Sequence, residues 1–179
     1  MRTPAVLLVV MLAARPAGAD CDILDCPHPL EWLPPETVKV SGSARAIAGD
    51  TVEIGGRFRV HLAWIDAPNQ GEPGFDAATD ALASMAKWNL TCAVLDEDRV
   101  GQLVGQCYFM ESPEGDAGRM LLLLGLARSS AQGPPLGDMA IVYETAQATA
   151  QAEKRGLWSC LELAPDSWGE IKSRTACAD

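Results

Sequence analysis

A chain of 179 residues is long enough for one domain with short appendages. Its 48% content of hydrophobic residues excludes wholesale disorder, because that much apolar side chain can build a core. Its 24 acidic against 14 basic residues disfavour nucleic-acid binding, which depends on Lys and Arg side chains that neutralise phosphates.

The first 19 residues have the three parts of an export signal. A charged start at Arg2 precedes an apolar run over 5–14, and Ala17–Ala19 offers the small residues of a cleavage site before Asp20. A membrane anchor is the competing interpretation, but the run is far shorter than the roughly 20 residues that span a bilayer. We therefore predict a signal peptide over 1–19, a bacterial periplasmic or secreted location, and no membrane span after cleavage.

All six cysteines lie beyond this signal. An even number in an exported chain favours disulfides over free thiols or a zinc cluster. Four of the six fall in a Cys- and Pro-rich arm over 20–36 or in a C-terminal tail over 159–179, which we expect them to tether. Their pairing stays open, since four cysteines allow three pairings. These outer cysteines are Cys21, Cys26, Cys160 and Cys177.

Three strands joined by tight turns are predicted at the start of the domain. The first covers 37–47, the second 51–54 and the third 57–65, and Gly55-Gly56 marks a hairpin between the last two. The apolar residues of the third strand recur at every second position: Phe58, Val60, Leu62 and Trp64.

The rest of the domain alternates helices with one hairpin. Apolar residues at helical spacing predict a helix over 75–88, and strands over 90–95 and 103–109 follow as a hairpin. A short apolar helix is predicted over 116–124. The last helix runs over 138–155, from an Asp that can cap its start to a Gly that ends it.

The hairpin predicts one disulfide. Cys92 and Cys107 are equidistant from a turn centred between Arg99 and Val100, so they face each other in an antiparallel pair. Opposed Cα atoms lie roughly 4.5 to 5.5 Å apart, which a disulfide tolerates. The alternative is a pair of buried thiols. The same centre predicts two further pairs, Leu95 with Val104 and Glu97 with Gln102.

Four short motifs occur in order between residues 40 and 160. The turn over 48–52 reads Ala-Gly-Asp-Thr-Val, and 60–69 reads Val-His-Leu-Ala-Trp-Ile-Asp-Ala-Pro-Asn. A turn over 98–102 reads Asp-Arg-Val-Gly-Gln, and 156–158 reads Gly-Leu-Trp. In this order they resemble motifs of the staphylococcal nuclease-like (thermonuclease) family. The resemblance implies an α+β fold over 37–158, an OB-type five-stranded Greek-key barrel with three helices.

The resemblance also implies a cation site. Active members hold a divalent cation, usually calcium, with two aspartates and a backbone carbonyl, and here those positions hold Asp50, Asp66 and Ala67. Two alternatives stay open. The aspartates could instead be remnants that shape turns. His61 could join them in a zinc or manganese site, or could fill the space of an absent arginine.

The catalytic side chains that the resemblance implies are replaced. The position of the glutamate that activates water holds Asn69, and the two arginine positions hold His61 and Gln102. The family's tyrosine in the same turn is Val100. We therefore assign no catalytic residue. Four residues elsewhere could compensate for these losses: Arg59, Arg99, Arg128 and Glu72.

These replacements favour a noncatalytic exported module that binds an unknown protein or small ligand through its barrel face or cleft. The alternative is a divalent-metal-dependent phosphodiesterase of weak or rebuilt activity on DNA or RNA. No basic run is longer than Lys154-Arg155, so nucleic acid is the less favoured partner. Trp64 takes a position that the family gives to glycine, where it fills the substrate cleft or packs into the barrel.

Overall fold

The computed structural model describes residues 37–87, 89–98, 101–109, 115–135, 137 and 139–160. The predicted signal peptide and N-terminal arm lie outside these residues, as do Arg99 and Val100 in the hairpin turn. The predictions for Cys21, Cys26 and Cys177 also lie outside them. Among the described residues, no helix is both long and apolar enough to cross a bilayer.

The predicted first strand is two strands. β1 (Lys39–Gly42) pairs with one neighbour and β2 (Ala44–Ala48) with another, and Ser43 lies between them. The prediction of one continuous strand over 37–47 was wrong because this segment turns a corner of the sheet. Such a corner leaves the alternation of side chains intact, so the sequence pattern does not reveal it.

The predicted hairpin after this corner is confirmed. β3 (Thr51–Ile54) pairs antiparallel with β4 (Phe58–Leu62) through Gly55 and Gly56, whose φ angles are 61° and 65°. Two successive positive φ values are what a tight hairpin turn requires.

The predicted third strand over 57–65 ends early. After Leu62 the chain turns at Ala63 and Trp64, and a short β5 (Ile65–Asp66) pairs with β8 (Arg128–Ser129) in a separate two-stranded sheet. Trp64 has a φ of 64°, which is rare for a residue other than glycine. The continuous period of two therefore hid a turn.

The second hairpin contains the predicted disulfide. β6 (Leu90–Glu97) pairs with β7 (Leu103–Tyr108), and Cys92 and Cys107 are bonded across it with their Cα atoms 4.0 Å apart. The predicted pairs nearer the turn were wrong. The register shifts between Val94 and Asp96, so that Val104 faces Asp96 rather than Leu95, and Glu97 faces Leu103 rather than Gln102.

The main sheet is curled. Its strand order is β1-β6-β7-β4-β3-β2, and β4 and β7 run parallel. The two edge strands, β1 and β2, are consecutive in the chain, so the sheet bends back toward itself as a half-barrel. The predicted OB-type α+β class is confirmed, and the predicted five strands become six because the first one is split.

Three helices and a final 3₁₀ helix surround this sheet. They are α1 (Phe75–Ala86), α2 (Ala117–Leu123), α3 (Met139–Ala152) and the 3₁₀ helix Gly156–Cys160. The predicted helices are confirmed to within a few residues at each end, the usual uncertainty of helix boundaries. The core between helices and sheet is mainly aliphatic, and its fully buried side chains include Val52, Val60, Leu62, Leu82, Leu121 and Leu122.

Candidate functional site

Asp50 lies in the tight turn between β2 and β3. Its Oδ2 accepts a hydrogen bond from the Ala67 amide at 3.1 Å, and its Oδ1 accepts one from the Thr51 hydroxyl at 3.0 Å. Its carbonyl accepts from the Leu62 amide at 2.7 Å. The carboxylate therefore ties the turn to the residue next to Asp66, which brings the two predicted cation ligands into one region.

The turn also presses on α1. A Cβ at Gly49 would lie 2.5 Å from the Cβ of Ala78 and 2.8 Å from that of Ala67. Both methyl groups are fixed to backbone, so neither can move aside. Glycine is required at position 49 because the helix and the segment after β5 both reach the turn there.

Asp66 is paired with an arginine. Its Oδ2 lies 2.7 Å from the Nε of Arg128, and the two residues face each other across the short β5–β8 sheet. Both side chains are partly buried, with 30% and 27% of their surface exposed. The structure therefore pairs Arg128, one of the four residues considered as substitutes for the family's catalytic side chains, with a predicted cation ligand.

His61 lies beside Asp50. Its Nδ1 is 3.4 Å from the Thr51 hydroxyl and 3.7 Å from Oδ1 of Asp50, and 11% of its side chain is exposed. Its Nε2 is buried and has no hydrogen-bond partner among the described residues. The ring thus lies against the carboxylate, where the resemblance implies an arginine.

Glu72 is hydrogen-bonded to Asn69. Its Oε2 accepts a hydrogen bond from the backbone amide of Asn69 at 2.6 Å and lies 3.3 Å from the side-chain nitrogen of Asn69. A carboxylate therefore lies next to Asn69, where its hydrogen bonds hold the loop.

Gln102 and Arg59 contact residues outside the group formed by Asp50, Asp66 and His61. The backbone amide of Gln102 donates to Oδ1 of Asp98 at 2.8 Å, which fixes the backbone just before β7. Arg59 faces Glu53 on the neighbouring strand and is exposed, while His61 faces Thr51. The strand is therefore not displaced by two residues, and Arg59 does not occupy the position of His61.

As arranged, these residues do not fit a calcium site. Calcium takes six to eight oxygen ligands, yet an oxygen of Asp66 is paired with Arg128 and both oxygens of Asp50 accept protein hydrogen bonds. Among the described residues, no three His, Cys, Asp or Glu side chains come together as a metal-binding group. A cation at this place would have to displace the guanidinium group.

Trp64 is part of the core and also holds a loop. It is 5% exposed, and its ring meets that of Tyr143 edge-on with centroids 5.7 Å apart. Its indole nitrogen donates to the Pro134 carbonyl at 2.7 Å, and its amide donates to the Gln132 carbonyl at 2.7 Å. Trp64 is therefore packed in the core against Tyr143 of α3.

A buried polar network near α2 was not predicted. Asp116 is fully buried and caps α2 by accepting from the Arg119 amide at 3.0 Å. It also accepts from the Gln106 amide group at 2.7 Å and from the Tyr143 hydroxyl at 2.8 Å. Burial raises the pKa of Asp116 above its ordinary value, and the hydrogen bonds oppose that rise. The position before an apolar helix indicates a cap, but the partners from other elements leave no local pattern.

A curled six-stranded sheet with three helices defines an OB-like α+β domain. Residues 59–160, more than half of the chain, match the family described as "Staphylococcal nuclease homologue". The chain belongs to this family.

Three relatives are similar over most of this chain. The succinoglycan biosynthesis protein ExoI of Rhizobium meliloti (strain 1021) is 29% identical over 88% of this chain and 75% of its own length. An uncharacterized endonuclease of Escherichia coli O157:H7 is 29% identical over 68% of this chain and 78% of its own length. The probable endonuclease LCL3 of Verticillium alfalfae is 29% identical over 76% of this chain and 49% of its own length.

Proposed function

We propose that this chain is an exported, noncatalytic member of the family that binds a ligand through the surface of its barrel. The observation that carries the proposal is the chemistry at three positions, His61, Asn69 and Gln102. Asn69 and Gln102 are neutral amides, which neither accept a proton nor carry the charge of a guanidinium group. His61 lies against Asp50 and Thr51 and replaces a guanidinium group that is always charged.

The expected loss of catalytic rate decides how much phosphodiester cleavage the chain could retain. Loss of a general base costs about 10²- to 10⁴-fold in rate. Loss of a donor that stabilises the transition state costs on the order of 10²- to 10³-fold. Such losses are not additive, but even one of each would leave little phosphodiester cleavage.

Two features support export. The N-terminal residues have the composition of a signal peptide. The Cys92–Cys107 bond is of a kind that persists in oxidising compartments such as the periplasm. One relative, the succinoglycan biosynthesis protein ExoI, is named for a biosynthetic role and not as a nuclease.

The second candidate is a divalent-dependent phosphodiesterase with a rebuilt site. It is favoured by Arg128, which lies at Asp66, by Glu72, which lies at Asn69, and by the two relatives named as endonucleases. In this candidate Asp50 and Asp66 would hold calcium, which would supply positive charge to the phosphate. Arg128 would first have to leave Asp66.

Incubation with nucleic acid separates the two candidates. The purified chain is mixed with single-stranded DNA and with RNA, first with calcium and then with manganese, and cleavage is followed on denaturing gels. We expect no cleavage above that of a metal-free sample. The variant Asp50→Asn keeps the side-chain shape, and Asp76→Asn, on the first turn of α1, is its matched control.

Metal-dependent cleavage that Asp50→Asn abolishes and Asp76→Asn leaves intact would establish the nuclease candidate and overturn the proposal. Cleavage that both variants retain would indicate a contaminating nuclease. A second preparation freed of that activity must then show no cleavage for the proposal to stand.

A further inference from the structure

Trp64 is hydrogen-bonded to three residues of one short segment. Its amide donates to the Gln132 carbonyl at 2.7 Å, and its carbonyl accepts from the Ser130 amide at 2.8 Å. Its indole nitrogen donates to the Pro134 carbonyl at 2.7 Å. We call residues 130–134 the strap. The strap is therefore attached to both the backbone and the ring of Trp64.

The strap also lies against the indole ring. A Cβ at Gly133 would be 3.1 Å from the indole nitrogen and 3.4 Å from the Cβ of Ala63, so the strap backbone is in contact with the ring. The ring is held by α3 as well, because it meets Tyr143 edge-on and the Tyr143 hydroxyl donates to Asp116. Trp64 is consequently 5% exposed, although it lies in a turn.

The backbone of Trp64 is strained. Its φ of 64° falls in the left-handed region, which is unfavourable for a residue with a bulky side chain. Such a conformation persists where the surrounding contacts over-determine it, and here those contacts come from the strap and from Tyr143. Asp66 is only two residues further on, so relaxation of this φ angle would shift the strand that carries it.

The strap is continuous with the strand that carries Arg128. Three successive antiparallel contacts join the two segments: Trp64 with Ser130, Ile65 with Ser129, and Asp66 with Arg128. β5 and β8 supply only the last two, and a ladder this short has little stability of its own. The Ser129 amide also donates to the Gln147 side chain of α3 at 2.6 Å. Beyond that bond, the contacts at Trp64 are what hold β8 beside β5 at this end.

We propose that Trp64 is a positioning residue that keeps Arg128 paired with Asp66 by holding the strap closed. When the strap is released, β8 loses its attachment at one end, and the guanidinium group separates from Asp66 more often. Trp64 thereby controls how far the Asp66 carboxylate is neutralised from within the chain. The inference goes beyond the proposed function, since it concerns the Asp66 site whether or not the chain cleaves nucleic acid.

Hydrogen exchange followed by NMR on the isotope-labelled full chain tests this inference. The Arg128 Nε–H, which donates to Asp66 at 2.7 Å, reports the ion pair, and the Ser130 amide reports the strap. The variant Trp64→Phe keeps an aromatic ring but removes the bond to Pro134. We expect both exchange rates to rise about threefold to tenfold, since one net hydrogen bond is lost from the closed strap.

A second variant acts from the strap and leaves Trp64 unchanged. Gly133→Ala places a methyl group against the indole ring at a φ of 128°, where a residue with a side chain is strained. We expect the same rise in the exchange rate of the Arg128 Nε–H. Gly137→Ala is the matched control, because Gly137 has a φ of 53° but an added Cβ would meet no described atom within 4 Å.

Trp158→Phe is the control for Trp64→Phe. Trp158 is also a buried tryptophan, but it lies against Gly125 and belongs to the final 3₁₀ helix. Both controls should leave the exchange rate of the Arg128 Nε–H within about twofold, the usual range for a substitution that breaks no contact of the measured group. The Val52 amide, in the buried strand β3, should exchange at the same rate in all variants.

Three results would overturn the inference. The first is an unchanged exchange rate of the Arg128 Nε–H in both Trp64→Phe and Gly133→Ala. The second is a rise at Ser130 without one at Arg128, which would separate the strap from the ion pair. The third is an equal rise at Arg128 and Val52, because it would mean that the whole fold is destabilised. None of these results depends on cleavage, so the nuclease assay tests the proposed function separately.

Discussion

The ion pair between Arg128 and Asp66 makes a sharp prediction about cation binding. The guanidinium group lies where a cation would bind Asp66, at 2.7 Å from the carboxylate oxygen. The variant Arg128→Gln keeps a polar side chain of similar length but removes the positive charge. We expect this variant to bind calcium more tightly than the wild-type chain.

The magnitude follows from Coulomb's law. A doubly charged ion on Asp66 would lie about 4 Å from the guanidinium group, and their repulsion would be about 2 kcal/mol even at the dielectric constant of water. Because the pair is partly buried, the repulsion is stronger than this figure, which is therefore a lower bound. Freeing the carboxylate adds less, because partly exposed ion pairs contribute at most about 1 kcal/mol. The expected gain in calcium affinity is therefore about thirtyfold.

Calorimetric titration with calcium chloride at low ionic strength measures the gain, and the shift in thermal unfolding with calcium gives a second measure. Lys87→Gln removes one exposed positive charge from the end of α1 and is the control. The reasoning is refuted if Arg128→Gln binds calcium no better than Lys87→Gln, or if neither variant binds it at all.

Three predictions concern the fold. Replacing Cys92 and Cys107 together by alanine should lower the free energy of unfolding by about 3 kcal/mol, the value for a loop of this length, in urea titrations, whereas no loss would contradict the disulfide. Gly49→Ala should cost about 1 to 3 kcal/mol or more, because its methyl group would overlap that of Ala78; an unchanged midpoint would contradict this packing. Because the pKa of Asp116 is raised on folding, its carboxyl group binds more protons in the folded state, and stability should fall as pH rises above the ordinary value of 3.8. Asp116→Asn should remove that part of the pH dependence of unfolding, and an identical slope in both proteins would refute the assignment.

The fold could be predicted from sequence where local pattern and geometry agree. The Cys92–Cys107 pair was predictable because antiparallel partners are equidistant from their turn. The prediction failed closer to the turn, where the register shifts after Val94 and a bulge changes every later partner. An inserted residue of this kind alters no period that a sequence reveals.

The contacts of the candidate site residues could not be predicted from the sequence. The motifs identify Asp50, Asp66 and His61, yet nothing near Asp66 in sequence indicates that Arg128, 62 residues later, pairs with it.

Asp50 and Asp66 each have a structural role that needs no cation. Asp50 holds the Ala67 amide and the Thr51 hydroxyl, so it fixes the turn against the segment after β5. Asp66 holds Arg128 and thereby joins the two short strands of the second sheet. A carboxylate with such partners is costly to replace, because its removal leaves partly buried donors unsatisfied. The Asn69 side chain, by contrast, contacts Glu72 within its own loop, so the cost of replacing it falls on that loop and not on a junction between elements.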